Sequence, residues 1–257
     1  MKSKVLRGII AVISLAVFLF SGYKLYDYFH SSKEDKEYTN TIIQDTVTIK
    51  PQKGNTGKEE TVDLNDPNKC PIDVDFETIW KENKDVIAWI YSPNTEINYP
   101  VAQSYDNSHY LRMRLDGKYS VGGTIFVDYR NSGDFSDPNS IIYGHFMRNG
   151  TMFGSLQNYK DQKYYDDHPF MWLITPDKTY RIDILSGFVT AADSEIYNFI
   201  SNESQLDEYL SQTGNKSNFI STVDPNTVEK VVTLSTCSHD YKDARYVVIG
   251  SLTEVGD

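Results

Sequence analysis

Cysteine is scarce: the chain has only Cys70 and Cys237. That excludes a scaffold built on disulfides, although one bridge between the two is allowed, because connectivity is not legible from sequence. Positive charge is also short. The 257 residues carry 25 Lys and Arg against 36 Asp and Glu, a formal net charge of -11. This argues against nucleic acid as a partner, since phosphate binding needs a cationic footprint. There is no Gly-rich phosphate loop and no internal repeat. His145 and the scattered carboxylates lack metal-ligand spacing, so neither a metal nor a cofactor is expected. Disorder is excluded in turn: 39% hydrophobic and 24% charged residues are ordinary for a globular chain. The length suits one substantial domain plus further segments.

At the N-terminus, Lys2, Lys4 and Arg7 precede an apolar stretch from Gly8 to Phe20, which Val5, Leu6 and Tyr23 extend towards the ~20 residues of a spanning helix. The cations place the N-terminus in the cytoplasm and the rest outside. A cleaved signal peptide is the competing reading. The absence of small residues at both cleavage-determining positions around Phe20, Ser21 and Gly22 favours an uncleaved, single-pass anchor in the cell membrane over residues 1–26. Residues 27–70 are polar and charged, with Pro51, Gly54, Gly57 and Pro67, and read as an extracytoplasmic stalk with a little helix near the membrane. Residues 71–257 read as the folded domain.

Within that domain, Asp73 to Ile90 carries Val74, Ile79, Val86, Ile87 and Ile90 at helix-like spacing, with Asp73 or Asp75 as N-cap, and predicts one or two helices. Short Val-, Ile-, Tyr- and Phe-rich segments follow, bounded by turn residues: Glu96 to Val101, Gly123 to Asp128, Ser140 to Tyr143, Met171 to Thr175, Thr179 to Val189, Val228 to Leu234 and Tyr246 to Leu252. A helical interruption over Ser194 to Thr213 carries Ile196, Phe199, Ile200, Leu206 and Tyr209. The fold class is mainly β, a closed barrel or sandwich with helices added at its edge.

Cys237 ends the apolar run Val231-Val232-Thr233-Leu234-Ser235-Thr236. Burial as a small hydrophobe is the commoner fate of a free cysteine, so a nucleophile needs a partner that handles its proton. Of the five histidines, His30 lies in the stalk, His168 precedes Pro169, His109 sits in a polar loop and His239 is too close along the chain. His145 instead follows the strand-like Ser140-Ile141-Ile142-Tyr143 through Gly144, mirroring Cys237 at a strand end. Arg245 opens the next strand after a short loop, so antiparallel pairing returns it beside Cys237, where a guanidinium can stabilise a developing oxyanion.

Leu234-Ser235-Thr236-Cys237 with Arg245 resembles the signature of the sortases. Tyr143-Gly144-His145 with Met152-Phe153-Gly154-Ser155-Leu156 is similar to the class B histidine segment. The likeness extends to Asn98-Tyr99-Pro100-Val101, to Asp106 through Leu111 and to Gly123 through Arg130. It implies an eight-stranded β-barrel with N-terminal helices and one long helix between the sixth and seventh strands. It also implies a cysteine transpeptidase in which Cys237 attacks the carbonyl of an Asn-Pro-x-Thr-like C-terminal sorting signal on a surface protein. His145 then serves as acid and base, and Arg245 orients the signal and stabilises the oxyanion. The amine acceptor would be peptidoglycan or its lipid-linked precursor. Asn107, Leu111, Tyr143, Ser235 and Thr236 fall where class B enzymes line the peptide groove. Plain core is the alternative for Leu111 and Tyr143, and a turn for Asn107. Two other functions stay open: a thiol hydrolase, and a catalytically silent membrane-tethered binding domain.

Overall fold

The computed structural model describes residues 2–50, 52, 53, 59, 60 and 63–256. Pro51, Gly54 and Gly57 of the expected stalk lie outside the described residues. Eight strands close into a barrel: β1 (Val86–Tyr91), β2 (Asn98–Gln103), β3 (Ile125–Val127), β4 (Asn139–Tyr143), β5 (Phe170–Ile174), β6 (Thr179–Ala191), β7 (Val231–Cys237) and β8 (Ala244–Val255). Their order around the barrel is β6-β8-β7-β4-β3-β2-β1-β5. The pairs β4/β7 and β2/β3 are parallel and the remaining pairs antiparallel.

Alternation divides each strand between two environments. Ala88, Ile90, Val101, Ile125, Val127, Ile142, Leu173, Ile182, Val232, Leu234 and Val248 fill the interior. Much of the outer face is buried as well. Helix α2 (Phe76–Glu82) covers one side, where Phe76 and Ile79 pack with Val86, Trp89, Phe126 and Trp172. Helix α4 (Glu203–Gly214), inserted between β6 and β7, covers another with Leu206, Tyr209 and Leu210 against Phe188, Val231, Val247 and Ile249.

Two expectations need correction. The helix over Asp73 to Ile90 is confined to α2, capped by the Asp75 carboxylate on the Thr78 N–H at 3.0 Å, and Val86 to Tyr91 is the first barrel strand. Covered on both faces, β1 shows no hydrophobic alternation, so period alone could not separate it from a helix. The interruption from Ser194 to Thr213 is also divided. A 3₁₀ turn (Glu195–Tyr197) is followed by extended backbone, and α4 then begins where the Asn202 side chain caps the Gln205 N–H at 3.0 Å.

Helix α1 (Lys2–Thr46) is, among the described residues, the one helix long and apolar enough to cross a membrane. Between Leu6 and Phe20 it exposes Ile9, Ile10, Val12, Ile13, Phe18 and Phe20 on all sides, as expected of a helix with no protein partner. It continues through the polar segment read as stalk as far as Thr46. Lys33 and Glu37 pair at 3.6 Å one turn apart, the i,i+4 spacing that supports exposed helix. Its last turns dock on the barrel. Asp35 lies 3.5 Å from Arg114 and accepts the Ser120 hydroxyl at 2.6 Å, Tyr38 sits 4.2 Å beneath the Arg114 guanidinium, and Ile42 is buried. Val47–Ile49 then pairs antiparallel with Ile72–Val74 and leads the chain into α2.

Candidate active site

The geometry of the site follows from strand registers. In β7, Val232 and Leu234 face the interior, so Ser235 and Cys237 share the outer face with Val231 and Thr233. Cys237 stands directly opposite Arg245 on β8, and cross-strand partners present their side chains on one face. On the other side, the parallel pairing sets Ser235 against Tyr143. Continuing past that pair, the Gly144 N–H donates to the Ser235 carbonyl at 3.0 Å. His145 is two residues beyond Tyr143, as Cys237 is two beyond Ser235. The imidazole and thiol therefore emerge at the same level from neighbouring parallel strands.

Glycine makes this turn possible. A Cβ on Gly144 would lie 2.6 Å from the Phe153 ring, so the strand end approaches that buried aromatic more closely than any side chain allows. His145 Nε2 bonds the Leu111 carbonyl at 2.7 Å. A carbonyl only accepts, so Nε2 carries a proton, and in the neutral ring Nδ1 is left as the acceptor. Burial pushes the His145 pKa down, opposed by the Leu111 carbonyl and reinforced by the Arg112 and Arg245 charges. Arg245 has no carboxylate partner among the described residues. Its Nη1 donates to the Ala244 and Asp243 carbonyls at 3.0 and 3.4 Å.

These groups line one groove of about 290 Å³. All eight site residues singled out by sequence reach it: Asn107, Leu111, Tyr143, His145, Ser235, Thr236, Cys237 and Arg245. Thr236 differs from the rest. It alternates inward, is 2% exposed, and its hydroxyl has no partner among the described residues. Tyr197 also lines the groove and was not singled out from sequence. It stacks on Tyr143 at 6.2 Å and shares a 2.8 Å hydrogen bond with Ser235 Oγ, and burial raises its pKa to about 12. Its only sequence signal was an aromatic in a segment that looked like a helix face. No Asp or Glu is among the lining residues, so the groove is locally cationic on an acidic protein, a setting that favours a thiolate and an oxyanion. Among the described residues no cluster of His, Cys, Asp or Glu is placed to hold a metal ion. The thiols of Cys70 and Cys237 are both free.

A thiol, an imidazole and a guanidinium gathered in one groove of a closed mixed barrel are the equipment of a cysteine-dependent acyl-transfer enzyme. Known proteins make the class specific. The family model described as Sortase domain matches residues 90–253. Sortase B of Listeria monocytogenes is 31% identical over 95% of this chain and 95% of its own length. Structures of Staphylococcus aureus sortase B with a substrate and with a glycine tripeptide match with TM-scores of 0.65 at 30% identity, covering 70% of this chain and 85% and 86% of theirs. A Bacillus anthracis sortase B structure gives a TM-score of 0.70 at 26% identity over 88% of this chain and 99% of that one. The chain belongs to the sortase family of cysteine transpeptidases, in its class B branch.

Proposed function

We propose that Cys237 is the nucleophile of a transpeptidase that cleaves an Asn-Pro-x-Thr-like sorting signal of surface proteins and passes the acyl group to a peptidoglycan amine. The observation that carries this reading is the convergence of Cys237, His145 and Arg245 on one groove, the first two at the ends of a parallel strand pair and the third across an antiparallel one. The Cys237 sulfur, as thiolate, adds to the carbonyl carbon after the threonine. The negative charge moves to the carbonyl oxygen, where Arg245 stabilises it. The C–N bond then breaks, and His145 as imidazolium gives its proton to the leaving amine. A thioester remains. An incoming amine gives a proton to His145 and attacks the thioester, which forms the new amide and restores the thiolate.

Asn107, Leu111, Tyr143, Ser235 and Thr236 bind the signal beside the nucleophile. The acceptor is peptidoglycan or its lipid-linked precursor, and the glycine tripeptide bound by the S. aureus enzyme supports a glycine-type amine. Residues 1–26 anchor the chain in the cell membrane with the N-terminus cytoplasmic, residues 27–70 follow outside it, and residues 71–257 are the catalytic domain. The apolar, unpartnered first half of α1 supports this topology. The test is incubation with sorting-signal peptides and glycine-type amines, read by mass spectrometry. A new amide joining the peptide's acyl part to the amine is the expected product. Hydrolysis alone, with every amine supplied, would make the protein a thiol hydrolase, and binding without turnover would make it a silent binding domain.

A further inference from the structure

Behind the groove lies an ion pair that is not among its lining residues. Asp128 follows directly on β3 and is fully buried. Its carboxylate accepts the Arg130 Nε–H and Nη2–H at 2.8 Å each and the Arg130 backbone N–H at 3.0 Å. It also accepts the Asn107 amide at 2.9 Å and the Tyr143 hydroxyl at 3.0 Å. Arg130 Nη2 continues to the Tyr197 carbonyl at 2.9 Å. Three groove residues from three separate segments, Asn107, Tyr143 and Tyr197, thus rest on one buried pair. Burial pushes the Asp128 pKa up, but the Arg130 side chain and backbone, Asn107 and Tyr143 outweigh it and the net shift is downward. A buried ion pair is commonly no more stabilising than apolar residues of the same size, and its better-attested use is to fix geometry.

What it fixes here is the hydrogen-bonding polarity of the groove. A carboxylate only accepts, so the nitrogen end of the Asn107 amide faces Asp128. A backbone N–H only donates, so the oxygen end faces the Tyr129 N–H at 3.0 Å. The amide cannot flip without losing both bonds. One Asn107 N–H is left over, and Tyr143, having given its proton to Asp128, offers oxygen lone pairs. We infer that Asp128, held by Arg130, is a positioning residue that presents the groove with a donor at Asn107 and an acceptor at Tyr143, the complement of a peptide amide's C=O and N–H. This rests on the groove being the peptide site proposed above.

The test uses the full chain carrying Cys237→Ala and measures sorting-peptide affinity directly, so it is independent of which residue is the nucleophile. Asp128→Asn removes the obligate acceptor and is expected to weaken the peptide roughly tenfold or more, the scale of a lost charge-assisted hydrogen bond. In chains that retain Cys237, KM should rise by a similar factor, with kcat and the alkylation rate of Cys237 by iodoacetamide little changed. Tyr143→Phe, which removes only the hydroxyl, guards against misfolding of the Asp128 variant. It should weaken the peptide on its own, and Asp128→Asn added to it should cost less than in the parent. Unchanged affinity in both variants, fully multiplicative effects, or an alkylation rate that falls in step with affinity would overturn the role of Asp128. Turnover surviving Cys237→Ala would instead overturn the nucleophile and leave this measurement standing.

Discussion

The two walls of the groove are built by different means. Cys237 and Arg245 face one another on the last register of an antiparallel ladder that runs unbroken from Val231 opposite Ser251, so every pair beneath them holds their separation. His145 stands beyond the end of β4, on a turn at Gly144, and its ring is held by the carbonyl of Leu111 in a loop. The thiol and the guanidinium are thus set by sheet geometry, whereas the imidazole is set by two local close approaches. The ladder wall should tolerate substitution of a side chain without moving its neighbours. The loop wall should be sensitive to small changes away from the imidazole itself.

The largest expected effect is on the ladder wall. Cys237→Ala should lower acyl transfer by on the order of 10⁴-fold or more while leaving the thermal melting point unchanged; turnover near the parent's would remove Cys237 from the mechanism. Next is Arg245→Lys. It should reduce kcat about 100-fold through loss of an oxyanion donor, again with little change in melting, because Arg245 bonds only the carbonyls of its own loop.

The loop wall should answer differently. Gly123 adopts φ +59°, and a Cβ there would lie 2.4 Å from the Tyr110 carbonyl oxygen and 2.6 Å from that of Leu111. Gly123→Ala should therefore displace the carbonyl that orients His145. We expect a loss of about 1–3 kcal/mol of stability in denaturant melts, together with slower acyl transfer, although the variant touches neither thiol nor imidazole. A change in melting alone would show that the two walls are equally robust.

The smallest effect is in pH. The folded pKa of His145 is depressed below 6.5 by burial, so the unfolded chain takes up this proton first as pH falls. Stability is fully present above the ordinary histidine range and declines as pH drops towards the folded pKa. Equilibrium melts between about pH 8 and about pH 5 should show a shallower decline in His145→Gln than in the parent. An identical slope would remove His145 as its source.

Much of this arrangement was legible in the sequence. The barrel strands from β2 to β8 each overlapped a segment marked by β-branched and aromatic residues between turns, and the residues chosen for chemistry all reached one groove. What escaped did so for physical reasons. β1 is buried on both faces and lost the alternation that marks a strand. The charged stretch after Tyr26 looked like linker because its stability comes from i,i+4 pairs and from docking through Asp35 and Ile42. Tyr197 and the Asp128–Arg130 pair act through long-range contacts, with Arg130 reaching 67 residues along the chain to Tyr197, and no local pattern reports those.

The parallel pairing of β4 with β7 also bears on how the molecule comes into being. Val231 pairs with Asn139 and Ser235 with Tyr143, so this seam can form only after the intervening half of the barrel has been threaded between them. Closing so long a loop is entropically slow, and topologies rich in such contacts fold on the slower end of the range. Until the seam forms, His145 and Cys237 are strangers in a flexible chain and the thiol has no imidazole beside it. Chemical competence therefore switches on at the last stage of assembly, and the first turnover of a refolding sample times the closure of the barrel.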